Sequence, residues 1–451
     1  MTIGRIIQGC NFKEPELSFD YQDDTQVAKD PMSGLGLRRD VKGLGPYDQD
    51  VRTLQDIKVA VVYPDDMENI ERIQNFLKSN INPYPGFEKV FKLPINFKEI
   101  SMGVSFAELK NEDVDYNEIK DNIQRDILSE NFDVALVVIP YTPKSKKWTP
   151  YYRLKAKLIQ SFGLPSQMIT YSTLRKRKKY LKWDLINLAL GIYCKAGGKP
   201  WALKREESEF VESKCILGVR SSQKIPSRIG DKPRYVGFIT LFEKEGAMFY
   251  VRGLPSFADW KKYVSKLEEE VSLMVEEYIK ERSTPRALSI HMAKRVSEEE
   301  EESVQNALSD YEEIDYALAR ITEDLPFRIF DTDEKNYCVE RGSCIQLSSK
   351  TSLLATTGKV GKYRGIGTPK PLQVSLASKR EDSNFDPMSI SRQVFRLTAT
   401  HWRGINKNIR LPITLDYSQE MARLVSSMFS EEWEETMEER FNEISDTAWF
   451  I

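Results

Sequence analysis

The sequence predicts an α/β protein in which a Rossmann-like unit is followed by a ribonuclease H-like unit. Three observations carry this reading. From Asp56 onward, short apolar runs alternate with amphipathic stretches, the pattern of a parallel sheet covered by helices. From Cys215, three strand-like runs come first and then helix, strand, helix and strand alternate. Between the two lies a basic stretch, residues 144–205, with 16 Lys or Arg and one acid, Asp184, in a chain of formal net charge −2. The chain divides accordingly into a lead-in at 1–55, a first domain at 56–205 and a second at 206–451.

The lead-in is rich in Gly, Pro and Asp (DPMSGLGLRRD, GLGPYDQD), so it is expected to run extended with few regular elements. IKVAVVYP then reads as a buried strand, MENIERIQNFLKS and YNEIKDNIQRDILSE as amphipathic helices, and FDVALVVIPY as a second buried strand. No GxGxxG follows a strand, which disfavours dinucleotide binding through a glycine loop. Thr149 and Pro150 fit an N-cap and first helical position, so Tyr151 and Lys155, four apart, share a helical face. Gln167 follows a short Pro-containing connection. A second helix spans about 183–196 and stops at Gly197-Gly198. On it Asn187, Gly191 and Lys195 form one polar stripe while Leu185, Leu188, Ala189 and Ile192 face a core. Gly191 is expected to leave room for a ligand backbone. These residues are expected at the carboxyl ends of the strands, where open α/β sheets bind ligands.

In the second domain CILGVRSS reads as a strand, YVGFITLF and AMFYVRGL as a hairpin, 257–281 as a long helix, RALSIHMAK as a buried strand, 296–308 as a helix and IDYALARIT as a further strand. Enzymes of this fold cut nucleic acid with clustered carboxylates that hold two divalent metals. The first carboxylate belongs on the first strand. There the sequence reads Gly218-Val219-Arg220, a guanidinium where an anion is needed.

At 451 residues and 40% hydrophobic content, the chain can bury a large core. No apolar run reaches the roughly 20 residues of a membrane span, and the N-terminus lacks a signal-peptide hydrophobic region, so a cytoplasmic location is expected. The five cysteines (Cys10, Cys194, Cys215, Cys338, Cys344) are odd in number and never spaced CxxC, which predicts reduced core thiols. With only His291 and His401, histidine-based zinc or general-base chemistry has little material. The basic stretch interleaves cations with Tyr151, Tyr152, Tyr171, Tyr180 and Trp183, which suits a polyanion with stackable bases. For 175–179 (RKRKK) alone, a solvated loop is the competing reading.

Four passages together resemble the Argonaute family, specifically short prokaryotic Argonautes built of MID and PIWI domains. They are Tyr151, Lys155, Gln167 and Lys195 closed by AGGKPW; the opening CILGV; the lead-in DPMSGLGLRRDVKGLGPYDQD; and LTATHWRGINKNIRLPITLDYSQEMARL. The resemblance implies a Rossmann-like MID domain at 56–205 and a ribonuclease H-like PIWI domain at 206–451. It implies that Tyr151 stacks on the first guide base while Lys155, Gln167 and Lys195, with Asn187 as a further contact, hold the guide's 5′ phosphate. Gly191 stands where many relatives carry a second lysine. A Mg2+ ion beside the phosphate would be held by Gln167 and the C-terminal carboxylate of Ile451.

The same resemblance implies a PIWI domain that has lost its catalytic carboxylates, with Arg220, Met292 (or a neighbour in SIHMAK) and Gln419 at the degenerate positions. His401, Arg403, Lys407 and Arg410, with Trp402 among them, lie near the guide–target duplex. The partners it implies are a guide RNA, a single-stranded DNA target, and an APAZ-domain effector protein (a sirtuin-like or TIR NADase, or a nuclease) bound as a heterodimer, with higher oligomers possible on target binding. The acidic runs at 298–302 and 431–439 could meet that partner or face solvent. A guide-dependent sensor, an active guide-directed nuclease and a stand-alone binder are the functional alternatives.

Overall fold

The computed structural model describes residues 9–38, 41–141, 149–205, 215–224, 234–243, 246–254, 259–293, 297–359, 368–405, 409–425 and 447–450. These form two compact units. The lead-in belongs to both, so it is not a separate segment. Its strand β1 (Gly9–Asn11) joins the second unit's sheet, while β2 (Leu17–Ser18), which pairs with β3 (Val27–Ala28), and the helical turn α1 (Pro31–Gly34) belong to the first. Asp30 caps α1 by accepting from Ser33 N–H.

The Rossmann-like unit continues with β4 (Ile57–Tyr63), α2 (Glu71–Lys78), α3 (Phe87–Phe91), β5 (Ile95–Ser101), α4 (Tyr116–Leu128), β6 (Val134–Ile139), α5 (Pro150–Phe162), β7 (Ser166–Thr170), α6 (Tyr171–Leu174) and α7 (Lys178–Lys195), before β8 (Ala202–Leu203). The sheet order is β5-β4-β6-β7, all parallel, with Val62 opposite Val137 and Leu136 opposite Gln167. The inner strands β4 and β6 are apolar runs because both their faces are covered. Ala60, Val62, Val137 and Ile139 pack against Ile119 and Ile123 of α4 and Leu154 and Leu158 of α5. Helix α7 begins at Lys178, five residues before the expected start, and ends where Gly197 takes φ +91°.

The second unit carries β9 (Cys215–Lys224), β10 (Arg234–Glu243), β11 (Met248–Gly253), α8 (Trp260–Glu281), β12 (Ala287–Ala293), α9 (Glu298–Ala307), β13 (Asp315–Thr322), β14 (Ser343–Gln346), β15 (Thr351–Leu354), β16 (Leu372–Lys379), α10 (Pro387–Leu397) and α11 (Ile413–Val425). Its first seven elements follow the expected order, and α9 opens on a capping box between Ser297 and Glu300. The nine strands are ordered β1-β14-β15-β16-β13-β12-β9-β10-β11, with β12 parallel to both β9 and β13. One face packs on α8 and α9 through Leu217, Val219, Leu267, Val271 and Met292. The other includes Ala319 and Val374, packed with Val394 of α10 and Leu415 of α11. At Gly218 the strand meets α11 so closely that a Cβ would lie 2.3 Å from the Thr414 carbonyl oxygen. Four of the five cysteines are buried free thiols, but Cys10, on the sheet-edge strand β1, is exposed. Among the described residues no helix is long and apolar enough to cross a membrane.

Candidate nucleic-acid interface

Within the Rossmann-like unit, a cavity of about 340 Å³ is lined by Tyr151 at the start of α5, Gln167 to Thr170 along β7, Asp184, Asn187, Gly191 and Lys195 of α7, and Trp402 and Arg403. It extends along β7 instead of lying only at the strands' carboxyl ends. That follows from topology: β7 is the sheet's edge, so its outer side is open and α7 packs across it. Pro150 at the first helical position and Thr149 as N-cap fix where Tyr151 projects. The spacing of Asn187, Gly191 and Lys195 along α7 puts all three on the cavity.

Gly191 serves a different purpose from the one expected. A Cβ there would lie 2.4 Å from Gln167 Oε1, so the space above the glycine is filled by the Gln167 side chain and not left for a ligand backbone. Gln167 Oε1 in turn accepts a hydrogen bond from Lys195 Nζ at 2.7 Å. Lys195 lines the cavity while only 1% exposed, and its burial pushes the ammonium's pKa down to about 7, helped by the like charge of Arg403.

Lys155 is also 1% exposed, but it does not line the cavity. Its Nζ lies 5.8 Å from the Tyr151 ring centroid and donates 2.8 Å to the Phe450 carbonyl. Burial, and then the nearby Lys195, hold its pKa well below the lysine range. Burial also pushes the Tyr151 phenol up to about 12, so it is neutral at physiological pH. The tail residues Ala448, Trp449 and Phe450 are buried, as expected of an apolar terminus.

Arg403, expected at a duplex, instead lines this cavity and pairs with Glu420 at 2.7 Å. Trp402 anchors the segment through Nε1–H to the Trp201 carbonyl at 3.1 Å. Neither placement was readable from sequence, because 402–405 joins this unit from two hundred residues away. His401 and Arg410 lie in the other unit and face its interior. His401 is buried against Asp416, Nε2 to Oδ2 2.6 Å, and Arg410 donates to the Glu323 and Pro371 carbonyls. Lys407, Ile451 and the acidic run 431–439 lie outside the described residues.

Of the two donors expected for a Mg2+ ion, only Gln167 is among the described residues, and its surroundings are cationic. Gln167 Oε1 already faces an ammonium, with Arg403 also lining the cavity. The acids nearby are paired, Asp184 with Lys176 and Glu420 with Arg403 and Arg423. Among the described residues, no three His, Cys, Asp or Glu side chains gather. It is the cations around Gln167, Lys195 and Arg403, that favour an anion in this cavity.

In the ribonuclease H-like unit, Arg220 projects from β9 on the same face as Gly218, toward α11. Its Nη1 lies 3.5 Å from Gln419 Oε1 and 3.9 Å from Glu323 Oε1. Met292 does not join them. Successive side chains alternate across a strand, and Met292, opposite Val219, is buried in the core under α8 and α9. Its neighbour His291, opposite Gly218, takes the Arg220 face instead, within 3.0 Å of Thr414 Oγ1 and Gln393 Oε1. Burial lowers its pKa to about 4 and keeps it neutral. Glu243, at the end of the neighbouring strand β10, pairs with Arg282 at 3.0 Å.

The fold is of the ribonuclease H-like class, and its Rossmann-like unit carries a cavity lined by cations. Residues 136–429 match the Piwi domain, and the chain belongs to that family. Over 425 residues it is 21% identical to Protein argonaute of Cereibacter sphaeroides, covering 87% of this chain and 53% of that protein. The Clostridium butyricum Argonaute structure, bound to a guide DNA with 5′ deoxycytidine and a 19-mer target DNA, superposes at TM-score 0.69 with 19% identity over 94% of this chain and 53% of that one. The Aquifex aeolicus Argonaute structure gives TM-score 0.60 with 21% identity over 93% and 55%. The chain is thus an Argonaute homologue that spans about half the length of the relatives it matches.

Proposed function

We propose that this chain is a guide-dependent target sensor. It holds a 5′-phosphorylated guide RNA, recognises complementary invader DNA without cutting it, and activates an APAZ-domain effector, a NADase or a nuclease. The carrying observation is the cavity where Lys195, Gln167, Asn187, Arg403 and the Tyr151 ring meet. Cations whose own burial is costly gain most from an anion, and a terminal phosphate supplies charge while its nucleoside supplies a base for Tyr151. The buried Lys155 stands beside the Tyr151 ring, donating to the Phe450 carbonyl. That the Clostridium butyricum relative holds guide and target DNA supports the guide–target part of this reading.

Loss of cutting is supported by Arg220, whose guanidinium faces Gln419 and Glu323 where two metals would need a cradle of carboxylates. One assay tests guide-dependent binding and the loss of cutting together. The guide-loaded chain is mixed with labelled complementary DNA in Mg2+ or Mn2+. Tight binding that depends on the guide's 5′ phosphate, with the target left intact, is expected. Scission at a position fixed relative to the guide's 5′ end would overturn the sensor reading.

A further inference from the structure

The N-terminal half of α7 carries two large aromatic rings in water, Tyr180 at 60% and Trp183 at 44% exposure. At 3.6 residues per turn, Tyr180, Trp183 and Asn187 fall within about 60° of one another around the helix. Asp184, Asn187, Gly191 and Lys195, which line the cavity, continue the same stripe. At 1.5 Å per residue, Trp183 lies about 6 Å and Tyr180 about 10 Å along the axis from Asn187, a span of a few nucleotides. Cations flank the rings. Lys182 Nζ sits 5.3 Å from the Trp183 centroid, and Arg175 and Arg177 are exposed in the turn before α7. Rings for bases beside cations for phosphates make a platform for single-stranded nucleic acid that reads no sequence.

We propose that this face of α7 holds the unpaired 3′ flank of the target strand, an inference that rests on the reading of the cavity as the guide's 5′-phosphate site. A strand whose terminal phosphate occupies the cavity has no nucleotide beyond it. The strand paired to it runs antiparallel, so the chain that continues past the guide's 5′ end is the target's 3′ extension. Its bases are unpaired there and free to stack on Trp183 and then Tyr180, while Arg175, Arg177 and Lys182 meet its phosphates.

The test compares two targets on the guide-loaded full chain, one ending flush with the guide's 5′ end and one extended 3′ by a short oligothymidine. Wild type is expected to bind the extended target roughly tenfold tighter. In Tyr180→Ala/Trp183→Ala that gain disappears while flush-target affinity stays unchanged. Equal affinity of wild type for both targets, or equal loss on both in the variant, overturns the proposal. The preference for 5′-phosphorylated over 5′-hydroxyl guide, measured in the same samples, reports separately on the cavity reading, because both rings lie outside the cavity lining.

Discussion

Replacing Lys195 by Met should raise the stability of the guide-free protein and lower its affinity for guide. Burial brings the ammonium from a pKa of 10.5 to about 7. At about 1.4 kcal/mol per tenfold change in acidity, the charged form costs the fold at most about 4–5 kcal/mol. Methionine removes that cost and relieves Lys155 of a like-charged neighbour, but leaves Gln167 Oε1 without its donor, a loss of about 1–3 kcal/mol. The net expectation is a gain of about 2–3 kcal/mol near pH 6.5. Between about pH 7 and 10.5 the unfolded chain keeps a proton that the folded one has lost, so wild-type stability climbs with pH across that window. The variant should climb less. Urea unfolding at pH 6.5 and pH 9 measures both effects. Binding moves the other way, because losing a charge-assisted bond weakens 5′-phosphorylated guide roughly ten- to a hundredfold and 5′-hydroxyl guide little. A Lys195→Met protein less stable than wild type at pH 6.5 would refute the argument that this ammonium is held at a cost.

Two further expectations concern the same cavity. In Gly191→Ala the new methyl displaces the Gln167 amide from Lys195, so affinity for 5′-phosphorylated guide should fall several-fold, while urea stability changes by at most about 2 kcal/mol because alanine's helix gain of about 1 kcal/mol offsets part of the lost bond; unchanged affinity in a filter-binding titration would contradict it. Chelation with EDTA should leave guide affinity unchanged, since the described donors suit an anion, and a large loss restored by Mg2+ would show that a divalent ion is held after all.

Much of the architecture is written in local pattern. IKVAVVY and VALVVI are visible because strands covered on both faces are mostly apolar, the one charged residue, Lys58, lying exposed near the start of the first. INFKEIS was not read as a strand because β5 is a sheet edge whose outward positions stay polar. The early start of α7 escaped because RKRKKYLK has neither apolar periodicity nor a side-chain cap. Helix α10 carries a local signal, Asp386 and Pro387 opening a capping box. At the cavity, the spacing of Tyr151, Gln167, Asn187 and Lys195 was informative because two helices and one strand carry them. The placement of Arg403, the diversion of Lys155 to Phe450 and the orientation of Met292 depend on long-range packing and strand phase, which no local window contains.

The pairing of β1 with β14 bears on how this chain acquires its structure during synthesis. Cys10 sits opposite Cys344, so a strand of three residues near the start waits for a partner made more than three hundred residues later. Phe12 N–H to the Gly342 carbonyl and Glu14 to the buried Arg341 extend the same long wait. Contacts so distant along the chain form late, after the intervening strands have built the sheet edge that receives them. Until then β14 presents an open edge, and the nascent protein has reason to need protection from edge-to-edge association.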